Sequence, residues 1–209
     1  EPSGASSGYM MLEVPTFLKP TKELSIGIVC PYSPEPWGPW SLDCGIGGSE
    51  EAVIRLSRAF TRRGHKVVVY GSGWSGVDFI ESGRAVSYKL LDEYVYSDAV
   101  IGWRYPEIFA DQIRPFEASW KGLWLHDSIQ PERVARAAPL VNKTWCISNY
   151  HASKYQGIPK IYIWRNGIDA RDMPEVWLEQ RNPYKVVYLS TPFRGLDTLL
   201  NYWPEIKAR

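Results

Sequence analysis

The sequence predicts an α/β protein of Rossmann-like type: a mainly parallel sheet with helices on both faces. Three observations carry this. Apolar runs of strand length alternate with stretches of helical periodicity along most of the chain. The runs are continuous rather than alternating, which suits strands buried on both faces. Residues 25–70 form one complete unit of strand, long loop, helix and strand, the repeating unit of a parallel sheet.

The first strand is the apolar run SIGIVCP at 25–31. A loop rich in Pro, Gly and Trp follows to Gly48, and loops of that length in a compact domain tend to be functional. Ser49 reads as the N-cap of the next helix, with Glu50 and Glu51 in the first turn where the helix dipole favours acids. Ala52, Val53, Leu56, Ala59 and Phe60 make its apolar face, and Gly64 follows its end. Further strands are expected at 66–70, 85–91, 98–103, 121–125, 143–147 and 160–164, with short helices near 106–113, 131–137 and 149–155. After Asp169 the composition turns polar and two prolines appear, so 170–184 reads as a linker. A fresh strand at 185–190 and a helix at 195–207, kinked at Pro204, then begin a second α/β unit. One such unit cannot bury both its faces, so the expectation is a truncated second domain over 185–209. Residues 1–23 read as a flexible N-terminal segment and 24–169 as the principal domain.

Composition narrows the function. The 209 residues carry 24 basic and 23 acidic side chains, a net charge of +1, which argues against a nucleic-acid partner. Three cysteines without metal spacing suit reduced thiols, and no apolar run approaches membrane-spanning length or resembles a secretory signal. The expected location is cytoplasmic. Ten Trp and thirteen Tyr serve either packing or the stacking of sugars and bases, and composition alone leaves both open.

Four segments can carry chemistry. Gly45-Ile46-Gly47-Gly48-Ser49-Glu50 places glycines at a helix start, where backbone N–H groups can approach a phosphate. The two glutamates oppose a phosphate on the helix axis, so contacts from the loop, offset from that axis, are easier to accept. His126-Asp127 follows an apolar strand, and strand C-terminal ends are where open α/β sheets bind ligands. Its imidazole suits hydrogen bonding to a hydroxyl or phosphate, and Asp127 can orient it or cap a turn. Arg165-Asn166-Gly167-Ile168-Asp169 reads as a strand exit at a domain boundary. Arg194, before Gly195, can clamp a diphosphate bidentately.

Taken in order, the glycine loop with GGSEEAVIRLSRAFTRRGHKVVVYG, then DAVIGWR, KGLWLHD, SNYHASKY, IYIWRNGID and KVVYLSTPFRGLDTLL resemble the GT4 family of retaining GT-B glycosyltransferases over roughly residues 24–209. The resemblance implies one half of a GT-B fold with the start of the other. It implies a nucleotide-diphosphate sugar as co-substrate, a saccharide or other hydroxyl acceptor, a C-terminal domain as partner, and no metal. Gly47, Gly48 and Ser49 would lie at the interdomain cleft near donor and acceptor. His126 and Asp127 would be the catalytic pair, His126 facing the transferred sugar and positioning it rather than attacking it. Arg194 would meet the diphosphate. Two features depart from the family: its later glutamate-containing donor motif is absent, and Leu189-Ser190 stand where a further arginine is usual.

Three rival readings remain open on sequence. A nucleotide-binding module or NAD-dependent enzyme would want a shorter first loop and an acid ending the second strand, where Tyr70-Gly71 stand. A sugar-nucleotide epimerase would want acidic catalytic residues. A non-enzymatic interaction domain would use the loop at Trp37–Trp40.

Overall fold

The computed structural model describes residues 22–33, 36–73, 76–111, 115–169, 182–188, 190 and 192–208. The N-terminal segment through residue 21 and the linker over 170–181 lie outside the described residues. The chain divides into two compact units, Glu1–Ile168 and Asp169–Arg209.

The first unit is an eight-stranded sheet. Its elements in chain order are β1 (Ser25–Cys30), α1 (Gly48–Arg62), β2 (Lys66–Gly71), β3 (Val77–Glu81), β4 (Arg84–Leu90), β5 (Ser97–Trp103), α2 (Glu107–Ala110), β6 (Ala118–Leu125), α3 (Pro131–Ala137), β7 (Lys143–Cys146), α4 (Asn149–Ser153) and β8 (Ile161–Ile163). The strand order is β3-β4-β2-β1-β5-β6-β7-β8, and every pairing except β3 with β4 is parallel. The chain builds outward from β1 in one direction, then returns to place β5 on the other side of β1. That reversal opens a crevice above the C-terminal ends of β1 and β5, where open α/β sheets bind ligands.

The apolar runs are explained by burial on both faces. Ile28 lies in register with Val69 and Ile101 and faces α1, in a core with Val53, Ile54 and Trp103. Its neighbour Val29 faces the opposite layer, with Val100, Leu123, Leu125, Val134 and Cys146. No polar residue fits either face of such a strand without a partner, which is why periodicity of two is lost.

The structure departs from the sequence reading in four places. First, β3 was not anticipated. It is an edge strand whose residues are alternately half-buried and exposed, and it folds back on β4 through Ser82-Gly83. Second, α1 starts earlier than expected: Gly47 is its N-cap and Ser49 lies inside the first turn. Third, the deepest face of α1 includes Ser57 and Thr61, which an apolar pattern passes over. Their hydroxyls donate to the Ile54 and Ser57 carbonyls, so they can be buried without loss. Fourth, the expected strand at 185–190 is absent over its described residues 185–188. A strand forms only against a neighbour that completes its hydrogen bonds. The second unit contains one longer helix, α5 (Leu196–Ala208), which runs through Pro204.

Among the described residues, four tryptophans pack against one another. Trp120, Trp145, Trp164 and Trp124 form a chain of ring contacts, with centroids 5.2, 4.6 and 5.4 Å apart in turn. Among the described residues, no helix is long and apolar enough to cross a membrane.

Candidate functional site

Three loops meet at the β1/β5 crevice. The glycine loop leaves β1 and enters α1; residue 104 follows β5; residues 126 and 127 follow β6. Arg104 links them. Its Nη1 donates to Glu50 Oε1 at 2.9 Å and its Nε to Asp127 Oδ2 at 2.5 Å. Its backbone N–H donates to the Trp124 carbonyl at 2.9 Å, and its guanidinium lies 4.7 Å over the Trp103 ring. The Arg104 backbone sits in the left-handed region, with φ of 68°. A non-glycine residue adopts that conformation at a cost, and it persists where surrounding contacts over-determine it.

Glu50 answers the electrostatic tension noted in the glycine loop. It is the third residue of α1 and buried, with its carboxylate paired to Arg104 and accepting from the Ser49 hydroxyl at 2.7 Å. A Cβ on Gly47 would collide with Glu50 Oε2, so a side chain there would force this paired carboxylate to move. A Cβ on Gly48 would meet nothing, so the open side of the loop lies there.

His126 is held neutral. Burial first, then the Arg104 charge, push its pKa down to about 4. Its Nε2 is buried without a hydrogen-bond partner, and its ring lies 4.4 Å from Trp124 and 6.3 Å from Trp103. A neutral imidazole can donate from one nitrogen and accept at the other, which suits a hydroxyl group.

The strand-end loop is fastened from below. Ser148 caps α4 by accepting from the His151 N–H at 3.0 Å. Tyr155 accepts from Ile129 N–H at 3.0 Å and donates to the Ile129 carbonyl at 3.2 Å. Lys154 Nζ donates to Ser128 Oγ at 3.1 Å.

The structure therefore connects Gly47, Ser49, His126 and Asp127 through Glu50 and Arg104. Arg194 belongs to the second unit, where it is exposed in a helical turn at Pro192–Arg194. Sequence reasoning gave no role to Arg104, His151 or Tyr155, and read Glu50 only as a first-turn acid that opposes a phosphate on the helix axis. The signal available for Arg104 was its place directly after an apolar strand. Among the described residues, no three His, Cys, Asp or Glu side chains gather closely enough to hold a metal ion.

Parallel pairing and the switch-point crevice define an α/β protein of Rossmann-like class. No protein-family model matches the chain, and no curated protein matches it significantly.

Proposed function

We propose that the chain is the N-terminal part of a retaining glycosyltransferase that moves a sugar from a nucleotide-diphosphate sugar to a hydroxyl acceptor. The observation that carries this is the switch-point crevice, with a neutral His126, a half-exposed Asp127 carboxylate and the open side of the glycine loop at Gly48 on adjoining strand ends. The reading also rests on the order of motifs that resemble the GT4 family.

In this reading His126 hydrogen-bonds a hydroxyl of the transferred sugar and fixes its orientation. It takes no part as nucleophile, because the chemistry is a direct exchange at the anomeric carbon. The bond to the diphosphate oxygen breaks, the bond to the acceptor oxygen forms on the same face, and the acceptor proton departs with the diphosphate. Asp127 accepts from a sugar or acceptor hydroxyl. The amides near Gly48 approach the donor from the side of the helix, since the Glu50 carboxylate in the first turn opposes a phosphate on its axis. A cytoplasmic location is part of this reading.

The test is release of UDP or GDP from UDP- and GDP-sugars by the full-length protein, with and without simple saccharide acceptors. His126→Ala should lower turnover on the order of a hundredfold or more. Unchanged turnover in that variant, or binding of NAD in preference to every sugar nucleotide, would reject the reading.

A further inference from the structure

The geometry points to Arg104 as the positioning residue of this site: one guanidinium fixes both the start of α1 and the loop after β6, so that the glycine loop and the His126-Asp127 pair hold a single arrangement. This deepens the glycosyltransferase reading and rests on it for what the arrangement is for.

Four observations support it. The two arms of the fork go to different elements, Glu50 on α1 and Asp127 after β6. These partners are 54 and 23 residues from Arg104 in the chain, so the contacts join distant pieces rather than stiffen a local turn. Glu50 in turn occupies the space beside Gly47, which places the glycine loop. The left-handed backbone at Arg104, with its N–H on the Trp124 carbonyl, aims the side chain back across the strand ends instead of along the strand. A lysine offers its three N–H donors from one rotating nitrogen and cannot hold two carboxylates in a fixed plane.

The arrangement has an electrostatic consequence. One cation stands between two carboxylates, so the trio Glu50, Arg104 and Asp127 carries a net charge of about −1. A diphosphate is disfavoured there, whereas the positive charge that grows on a sugar ring during departure of the diphosphate is favoured. Arg104 thereby assigns this edge to the sugar and acceptor, and leaves the diphosphate to groups elsewhere. The charged and titratable groups that act on His126 are Arg104, Asp127 and His151.

The test uses the full chain and NMR. In Arg104→Gln, the His126 ring should titrate about one pH unit or more higher than in the parent. Arg104→Lys should recover only part of that change. Glu50→Gln gives a second test that keeps Arg104. The resonances of Asp127 and the His126 ring should move, because Glu50 reaches them through the guanidinium. A merely structural strap would lower thermal stability in these variants, and Arg104→Lys, which keeps the charge beside His126, would restore the His126 titration completely. That recovery, or an unmoved His126 titration in Arg104→Gln, or a silent Asp127 in Glu50→Gln, overturns the proposal. UDP-glucose and GDP-mannose added to the parent protein probe the functional reading separately. If neither shifts Gly48 or His126, the glycosyltransferase reading fails, while the Glu50-to-His126 coupling still reports on Arg104.

Discussion

His151 Nε2 lies 2.9 Å from the Asp127 carbonyl oxygen. The tautomer follows from the other side of the ring, where Nδ1 accepts from the Ile147 N–H at 3.4 Å. Nε2 therefore carries the proton and donates to Asp127. The bond ties α4 to the backbone of the loop after β6, while Arg104 ties the same residue by its side chain. His151→Ala leaves the Asp127 carbonyl and the Ile147 N–H without these partners. The expected cost is about 1–3 kcal/mol by urea denaturation. A change below the error of that measurement would show that the loop holds its place without α4.

Stability should fall in mild acid. His126 and His151 both bind protons more weakly in the folded chain than the ordinary value of 6.5, in each case chiefly because burial disfavours the charged ring. The unfolded chain therefore takes up protons first as pH drops. Their contribution is complete above 6.5 and is lost as pH falls, and for His126 the loss runs down to about 4. His126 alone should account for a decrease on the order of 3 kcal/mol between pH 7 and pH 4. Denaturation at stepped pH in the parent and in His126→Asn checks this. The variant should show a flatter profile over that window, and identical slopes would mean that His126 titrates normally in the folded chain.

How far the sequence spoke depended on whether the relevant physics was local. The layered α/β class was legible because strands such as β1 are buried on both faces and announce themselves as apolar runs. The place of His126 and Asp127 at a strand C-terminal end was legible because the apolar run before them reads as a strand. β3 was not legible. Its Phe79 gains cover from the Arg58 guanidinium, 3.8 Å over the ring, which only the folded chain supplies. The Glu50–Arg104–Asp127 link was equally hidden, since strand order alone brings those three residues together. The run at 185–188 misled in the other direction: its composition suits a strand, but strand formation is a property of pairs.

Two adjacent glycines should respond differently to the same substitution. Gly47→Ala sets a methyl against the Glu50 carboxylate, although the backbone there, at φ of −62° and ψ of 141°, accepts alanine. Glu50 must move, and the pair with Arg104 weakens. A loss of about 1–3 kcal/mol is expected, together with a shift of the Asp127 resonances. Gly48→Ala meets no atom within 4 Å and replaces glycine in a helix, so stability should hold or rise by up to about 1 kcal/mol. The added methyl does, however, cover the open side of the loop. UDP- or GDP-sugar binding, measured by calorimetry, should weaken in Gly48→Ala even though the protein is no less stable. If both variants lose stability alike, the distinction between a packed and an open glycine is wrong.

The tryptophan chain gives a last prediction, because it ends at the site. Gly122 of β6 lies beneath the Trp120 and Trp145 rings, and a Cβ there would collide with both. The Trp145 ring is held from behind. Trp145 packs at 4.6 Å against Trp164, Trp164 stacks at 5.4 Å on Trp124, and the Trp124 ring lies 4.4 Å from His126. Overpacking a layer of this kind costs about 1–3 kcal/mol, and close-packed interiors pass the strain along. Gly122→Ala should therefore lower the denaturation midpoint, alter the near-ultraviolet circular dichroism of the tryptophans, and shift the His126 ring resonances as well. A destabilised protein whose His126 signals do not move would mean that the rings absorb the strain locally. The tryptophan layer would then be a support for the sheet and no part of what positions His126.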